Sequence, residues 1–159
     1  MAPNIPQHLN VLLVDDDADD HEFFLHAIGK ARTAIHIKIK TVKDGSEITH
    51  ALLNGYGRLP DIIFLDINMP SKNGHEILLE IRRQKKLNDV AIAIFTTSSS
   101  EYDIYKAHEN GANLYIKKPD EVSELVAIME KVLALDWKNY MPHSAIDKFV
   151  WPKQNRIKL

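Results

Sequence analysis

The chain contains no cysteine among its 159 residues. That excludes a disulfide framework and thiolate metal sites, and it makes a cytoplasmic address the expectation. Long hydrophobic runs are missing too. Stretches such as "AIAIF" and "IIFL" fall far short of the roughly 20 residues that cross a bilayer, so no membrane span is expected. The opening "MAPNIPQHLN" has neither a basic region nor an apolar core, unlike a secretory signal. A strong charge of one sign is also lacking, with a net charge of −2. Residues 137–159 hold five basic residues and one acidic, which leaves 15 basic and 21 acidic in the rest. A mildly acidic body with a mildly basic tail is not the dense positive stripe of a nucleic-acid binder. What is present, 45% hydrophobic and 26% charged residues, suits one globular domain with an ordinary core.

The apolar residues alternate between two periods. Short runs at 9–14, 35–41, 61–66, 91–96 and 113–116 read as strands. The first, third and fourth are apolar at consecutive positions, as strands buried on both faces must be. The second alternates isoleucine with His36, Lys38 and Lys40, the pattern of an edge strand with one wet face. Between them Phe24, Ala27, Ile28 and Ala31 follow helical spacing. So do Val122, Leu125, Val126, Met129, Val132 and Leu133, in a helix that Asp120 is expected to cap. Shorter helices are expected at 48–52, 77–81 and 104–111. The order is βα repeated five times, which predicts an α/β fold with a doubly wound five-stranded parallel sheet. Functional residues in such sheets gather beyond the carboxyl ends of the strands.

Those ends carry a distinctive set. "VLLV" runs directly into "DDDADD", and Asp15 and Asp16 close the first strand. Asp66 closes the third, Thr96 closes the fourth and Lys118 follows the fifth. Carboxylates crowded together raise one another's pKa unless a cation neutralises them, and Mg²⁺ prefers oxygen donors of this kind. A carboxylate can also act as nucleophile and form an aspartyl-phosphate, whose oxygens call for a metal, a hydroxyl and a fixed positive charge. Aspartates 17, 19 and 20 are read as caps and first-turn charges without a ligand role. The eight histidines lack ligand spacing and are read as surface or satisfied core residues.

"LLVDDD", "DIIFLDINMP", "AIFTTS" and "GANLYIKKP", in this order, resemble the receiver domain of two-component response regulators. Asp66 to Thr96 spans 30 positions and Thr96 to Lys118 spans 22, similar to single-domain, chemotaxis-type receivers. "TTS" is more similar to regulators associated with bacterial phytochromes. The resemblance implies the flavodoxin-like (βα)5 fold with strand order 2-1-3-4-5. It implies that Asp66 is the phosphoacceptor, and that Mg²⁺ is held by Asp15, Asp16, Asp66 and the backbone carbonyl of Asn68. Thr96 and Lys118 would contact the phosphoryl group, and Thr96 and Tyr115 would form the switch. Thr97 is bulkier than the alanine or glycine usual at its position, a departure that bears on the dephosphorylation rate.

The expected organisation is an N-terminal lead at 1–8, a receiver at 9–136 and a C-terminal extension at 137–159 without a separate output domain. In that extension "HSAIDKFV" is expected to form a short helical turn on its own domain, with a docking arm as the sharper reading. The implied partners are a sensor histidine kinase, with phytochrome-type kinases as one class, and an unidentified downstream protein. A homodimer through the fourth helix, fifth strand and fifth helix is the other route. Such a protein is a phosphorelay switch whose chemistry acts on itself, not an enzyme with a separate substrate. Two other readings compete for the same aspartates. A haloacid-dehalogenase-type phosphatase would use Asp15 and Asp17, but no Gly-Thr follows them and Asp66 precedes the threonine. An EF-hand beginning at Asp15 fails at Asp20 and His26, where glycine and glutamate are required.

Overall fold

The computed structural model describes residues 7–55, 57–140 and 145–153. Six parallel strands form one sheet in the order β2-β1-β3-β4-β5-β6. The five central βα units agree with the sequence reading: β1 (His8–Val14), α1 (Ala18–Lys30), β2 (His36–Val42), α2 (Ile48–Asn54), β3 (Ile62–Leu65), α3 (Gly74–Arg82), β4 (Ala91–Thr96), α4 (Glu101–Glu109), β5 (Leu114–Lys117) and α5 (Val122–Leu133). Two elements follow, α6 (Ile146–Phe149) and β6 (Val150–Trp151).

Burial explains why consecutive apolar residues mark the central strands. Every residue of β3 and β4 is buried, so each side chain needs an apolar partner whichever way it points. β2, at the sheet's edge, has no buried residue at all. Two cores flank the sheet. Phe24, Phe64, Phe95, Leu125 and Met129 pack on the face covered by α1 and α5. Ile63, Ile77, Ile92, Ile104 and Tyr115 pack on the face covered by α2, α3 and α4. Edge-to-face contacts among Phe24, Phe64 and Phe95, with centroids 5.0–6.3 Å apart, tie α1 to the two central strands.

The structure corrects the sequence reading at two points. The sheet has six strands, because Val150 and Trp151 pair with Tyr115 and Ile116. The expected helical turn in "HSAIDKFV" is α6, which buries Ile146 and Phe149 and delivers the chain to that sixth strand. At α5 the N-cap is Glu121, not Asp120, and it makes no side-chain capping bond. There Leu125, Met129, Val132 and Leu133 anchor the helix through packing, so a cap is dispensable. Of the expected N-terminal lead, residues 1–6 lie outside the described residues. So do 141–144 and 154–159 of the extension.

Candidate functional site: a carboxylate and lysine cluster at the carboxyl edge

The ladder hydrogen bonds run past the strand ends and fix the acidic residues there. The Asp15 amide donates to Val42 O and the Asp66 amide to Val14 O, each at 3.0 Å. The Lys118 amide donates to Thr96 O at 2.8 Å. Residues over a hundred positions apart are thereby set side by side. Carboxylate oxygens of Asp15, Asp16 and Asp66 lie within 4.8 Å of one another. Asp15 and Asp66 are buried, while Asp16 faces solvent.

Lys118 Nζ, itself buried, donates to Asp15 Oδ2 and Asp20 Oδ2, both at 2.7 Å, and to Asp66 Oδ2 at 3.5 Å. The ammonium also lies 5.4 Å from the centre of the Phe95 ring. Burial alone would lower the lysine's pKa, but its hydrogen bonds to Asp15 and Asp20 and the charge of Asp66 raise it on balance. Burial raises the Asp66 carboxyl, Lys118 opposes that, and Asp15 adds to it. Hydrogen bonds from the Thr96 hydroxyl and the Asn68 amide also oppose the rise but do not cancel it. The Asn68 amide lies 3.3 Å from Asp66 Oδ1.

Gly74 closes the floor beneath Asp66. Its amide donates to Ile67 O at 2.9 Å, and a Cβ there would lie 2.2 Å from the Asp66 carbonyl oxygen. Only glycine lets α3 start so close to the end of β3. Asn73 caps that helix by accepting the His75 amide at 2.8 Å.

Tyr115 is buried one layer away. Its hydroxyl donates to Ser98 O at 2.8 Å, and its ring lies 6.2 Å from that of Phe149. Burial drives the phenol's pKa well above its ordinary value. The Ser98 amide in turn reaches Thr96 Oγ1 at 3.3 Å.

The structure thus brings together Asp15, Asp16, Asp66, Thr96 and Lys118, with Asn68 at the rim and Tyr115 behind. Asp17 stands apart from the cluster. It caps α1 by accepting the Asp19 amide at 2.9 Å, so the second carboxylate of the phosphatase reading is engaged elsewhere. Sequence reasoning missed Asp20, which it treated as a first-turn charge. The available signal was position: Asp20 stands in the first turn of α1, a few residues beyond the Asp15 end of β1.

Acidic residues, a hydroxyl and a lysine gathered at the carboxyl edge of a doubly wound parallel sheet define an α/β domain with its polar site at the carboxyl ends of the strands. The chain belongs to the response regulator receiver domain family, which it matches over residues 11–130. It is 30% identical over 125 residues to the probable methanogenesis regulatory protein FilR2 of Methanothrix harundinacea, covering 77% of this chain and 79% of that one. Among solved structures it is similar to the phosphorylated cyanobacterial phytochrome response regulator RcpA. There the identity is 31% and the TM-score 0.69, covering 79% of this chain and 91% of the other. The Mn²⁺-bound form of the response regulator Rcp1 is 25% identical with a TM-score of 0.69, covering 86% and 99%. The chain spans about half the length (49%) of another curated relative, the transcriptional regulatory protein PrrA of Mycobacterium leprae. The dehalogenase-type alternative finds no support in these comparisons. No helix among the described residues is long and apolar enough to cross a membrane.

Proposed function

We propose that the protein accepts a phosphoryl group on Asp66 from the phosphohistidine of a sensor histidine kinase, and that the acyl-phosphate switches its protein contacts. The observation that carries this reading is the cluster itself. Asp15, Asp16 and Asp66 offer oxygens within 4.8 Å, and the Lys118 ammonium touches Asp15 and approaches Asp66. An all-oxygen donor set with two buried carboxylates fits a hard divalent cation, because such an ion offsets the burial and the neighbouring Asp15 charge that raise Asp66. Asp15, Asp16, Asp66 and the Asn68 carbonyl would hold Mg²⁺. When bound, it would screen the carboxylates from the negative oxygens of the incoming phosphoryl group. The Mn²⁺-bound form of Rcp1 and the phosphorylated form of RcpA support both halves of the proposal by similarity.

In this reading an Asp66 carboxylate oxygen attacks phosphorus. The new P–O bond forms as the donor's P–N bond breaks, and the bonding pair leaves on the imidazole nitrogen. Lys118, already paired with carboxylates, supplies fixed positive charge to a phosphoryl oxygen. The Thr96 hydroxyl turns toward another and draws the loop after β4 with it, and Tyr115 follows through Ser98. The output is a shift between two arrangements of the face formed by α4, β5 and α5. It is read by a partner protein or by a second copy, with residues 9–136 as the switch and 137–159 as an extension whose α6 and β6 pack against it. Of the kinases, a phytochrome type is favoured by similarity to RcpA.

The test is direct. With acetyl phosphate and Mg²⁺, the parent gains the mass of one phosphoryl group, and Asp66→Asn gains none. Labelling that persists in Asp66→Asn and disappears in Asp15→Asn would overturn the assignment.

A further inference from the structure

Beyond the site, the loop that carries the switch is held from a direction the phosphoryl chemistry does not touch. His75, in the first turn of α3, is buried. Its Nε2 lies 2.9 Å from Asp103 Oδ1 on α4. Asp103 Oδ2 accepts the Ser98 hydroxyl, and also the Ser100 hydroxyl at 2.9 Å. Ser98 is therefore a junction. Its side chain goes to Asp103, its amide to Thr96, and its carbonyl to the Tyr115 hydroxyl. At the other end, α3 begins on the Asp66 backbone through Gly74. Among the described residues, His75 Nδ1 is the buried side-chain nitrogen left without a hydrogen-bond partner. An N–H there would be unsatisfied, so the neutral ring with its proton on Nε2 fits the site and donates to Asp103.

We propose that His75 is a positioning residue. Through Asp103 and Ser98 it braces the loop between β4 and α4 against the phosphoacceptor end of β3, and so holds Tyr115 in its buried arrangement before any phosphoryl group arrives. A packing role for His75 would need only an apolar ring of similar size. The carboxylate between two serines and one imidazole needs a donor at the Nε2 position. The inference rests on the reading of Thr96 and Tyr115 as a switch, but its readout needs no phosphorylation.

The test uses ¹⁹F NMR of the full chain labelled with 3-fluorotyrosine, with Tyr115 assigned through Tyr115→Phe. His75→Phe keeps the ring and removes the donor. The Tyr115 signal should lose its buried position and move toward that of the exposed Tyr102. His75→Gln, which restores an N–H near the Nε2 position, should return the signal toward the parent's. Asp103→Asn serves in the same comparison if His75→Phe melts below the working temperature. An unchanged Tyr115 signal in the variant lacking the donor, or an equal loss in His75→Phe and His75→Gln, overturns the proposal. Failure of the parent to take up acetyl phosphate would instead overturn the functional reading and leave the NMR result standing.

Discussion

Gly74 and Asp20 define how tightly the site is drawn at the scale of single residues. A methyl group at Gly74 would overlap the Asp66 carbonyl, so the start of α3 has no room to yield without moving Asp66. Gly74→Ala should therefore cost about 1–3 kcal/mol, the range for overpacking a close-packed interior. Urea denaturation measures that cost, and slower phosphoryl uptake should accompany it. Asp20 acts in the opposite sense: it adds a partner to Lys118 and does not crowd it. Its hydrogen bond equals that of Asp15 in length and keeps the ammonium nearer to α1 than to Asp66. His75 and Asp103 lie 28 positions apart in sequence, and no periodicity within one element announces such a pair.

Among elements, β6 departs furthest from the sequence expectation, while the short α6 before it agrees with the expected helical turn. Phe149 is fully buried and packs on His108 and Tyr115, so this short helix covers the side of the sheet where Tyr115 lies. Val150 beside it pairs with Tyr115 in the strand register. Replacing Phe149 with alanine should destabilise the fold by about 3–5 kcal/mol, the usual cost of a large aromatic lost from a packed core. Chemical denaturation checks the figure. A change under about 1 kcal/mol would mean that the segment contributes little to the core. The other elements were legible for a plain reason. β3 and β4 are buried on both faces and must be apolar at successive positions, and β2 has a wet face and must alternate. The two residues of β6 are too few to carry any period.

For the whole molecule, the proposed cation site should couple metal binding to stability and pH. A cation that binds only the folded chain stabilises it by mass action, by about 2.7 kcal/mol at one hundred times Kd. The melting temperature at neutral pH should accordingly rise with Mg²⁺ and fall back with a chelator. Asp16→Asn should weaken that gain. The sign of the pH effect follows from Asp66. Its folded pKa is raised above the ordinary 3.8, so without the ion its protonated form favours the fold. That contribution is complete below the unfolded value and is lost as pH rises through the folded one. Mg²⁺ competes for the ionised form, so the stabilisation it gives should shrink as the solution is acidified toward the Asp66 titration. A gain that stayed constant through that range would separate the ion from Asp66.

Sequence alone determined the order of the five βα units, which faces of the strands are covered, and the residues at their carboxyl ends. Each of these is a local consequence of how apolar and polar side chains alternate along an element. Only the tertiary structure decided which distant groups meet. Crossovers carry α1 back over the edge so that Asp20 reaches Lys118. The turn at Gly74 carries His75 to Asp103, and the chain beyond α5 returns Phe149 to Tyr115. Such contacts depend on the register between strands and on where each connection sets its helix down. No short stretch of sequence contains that information.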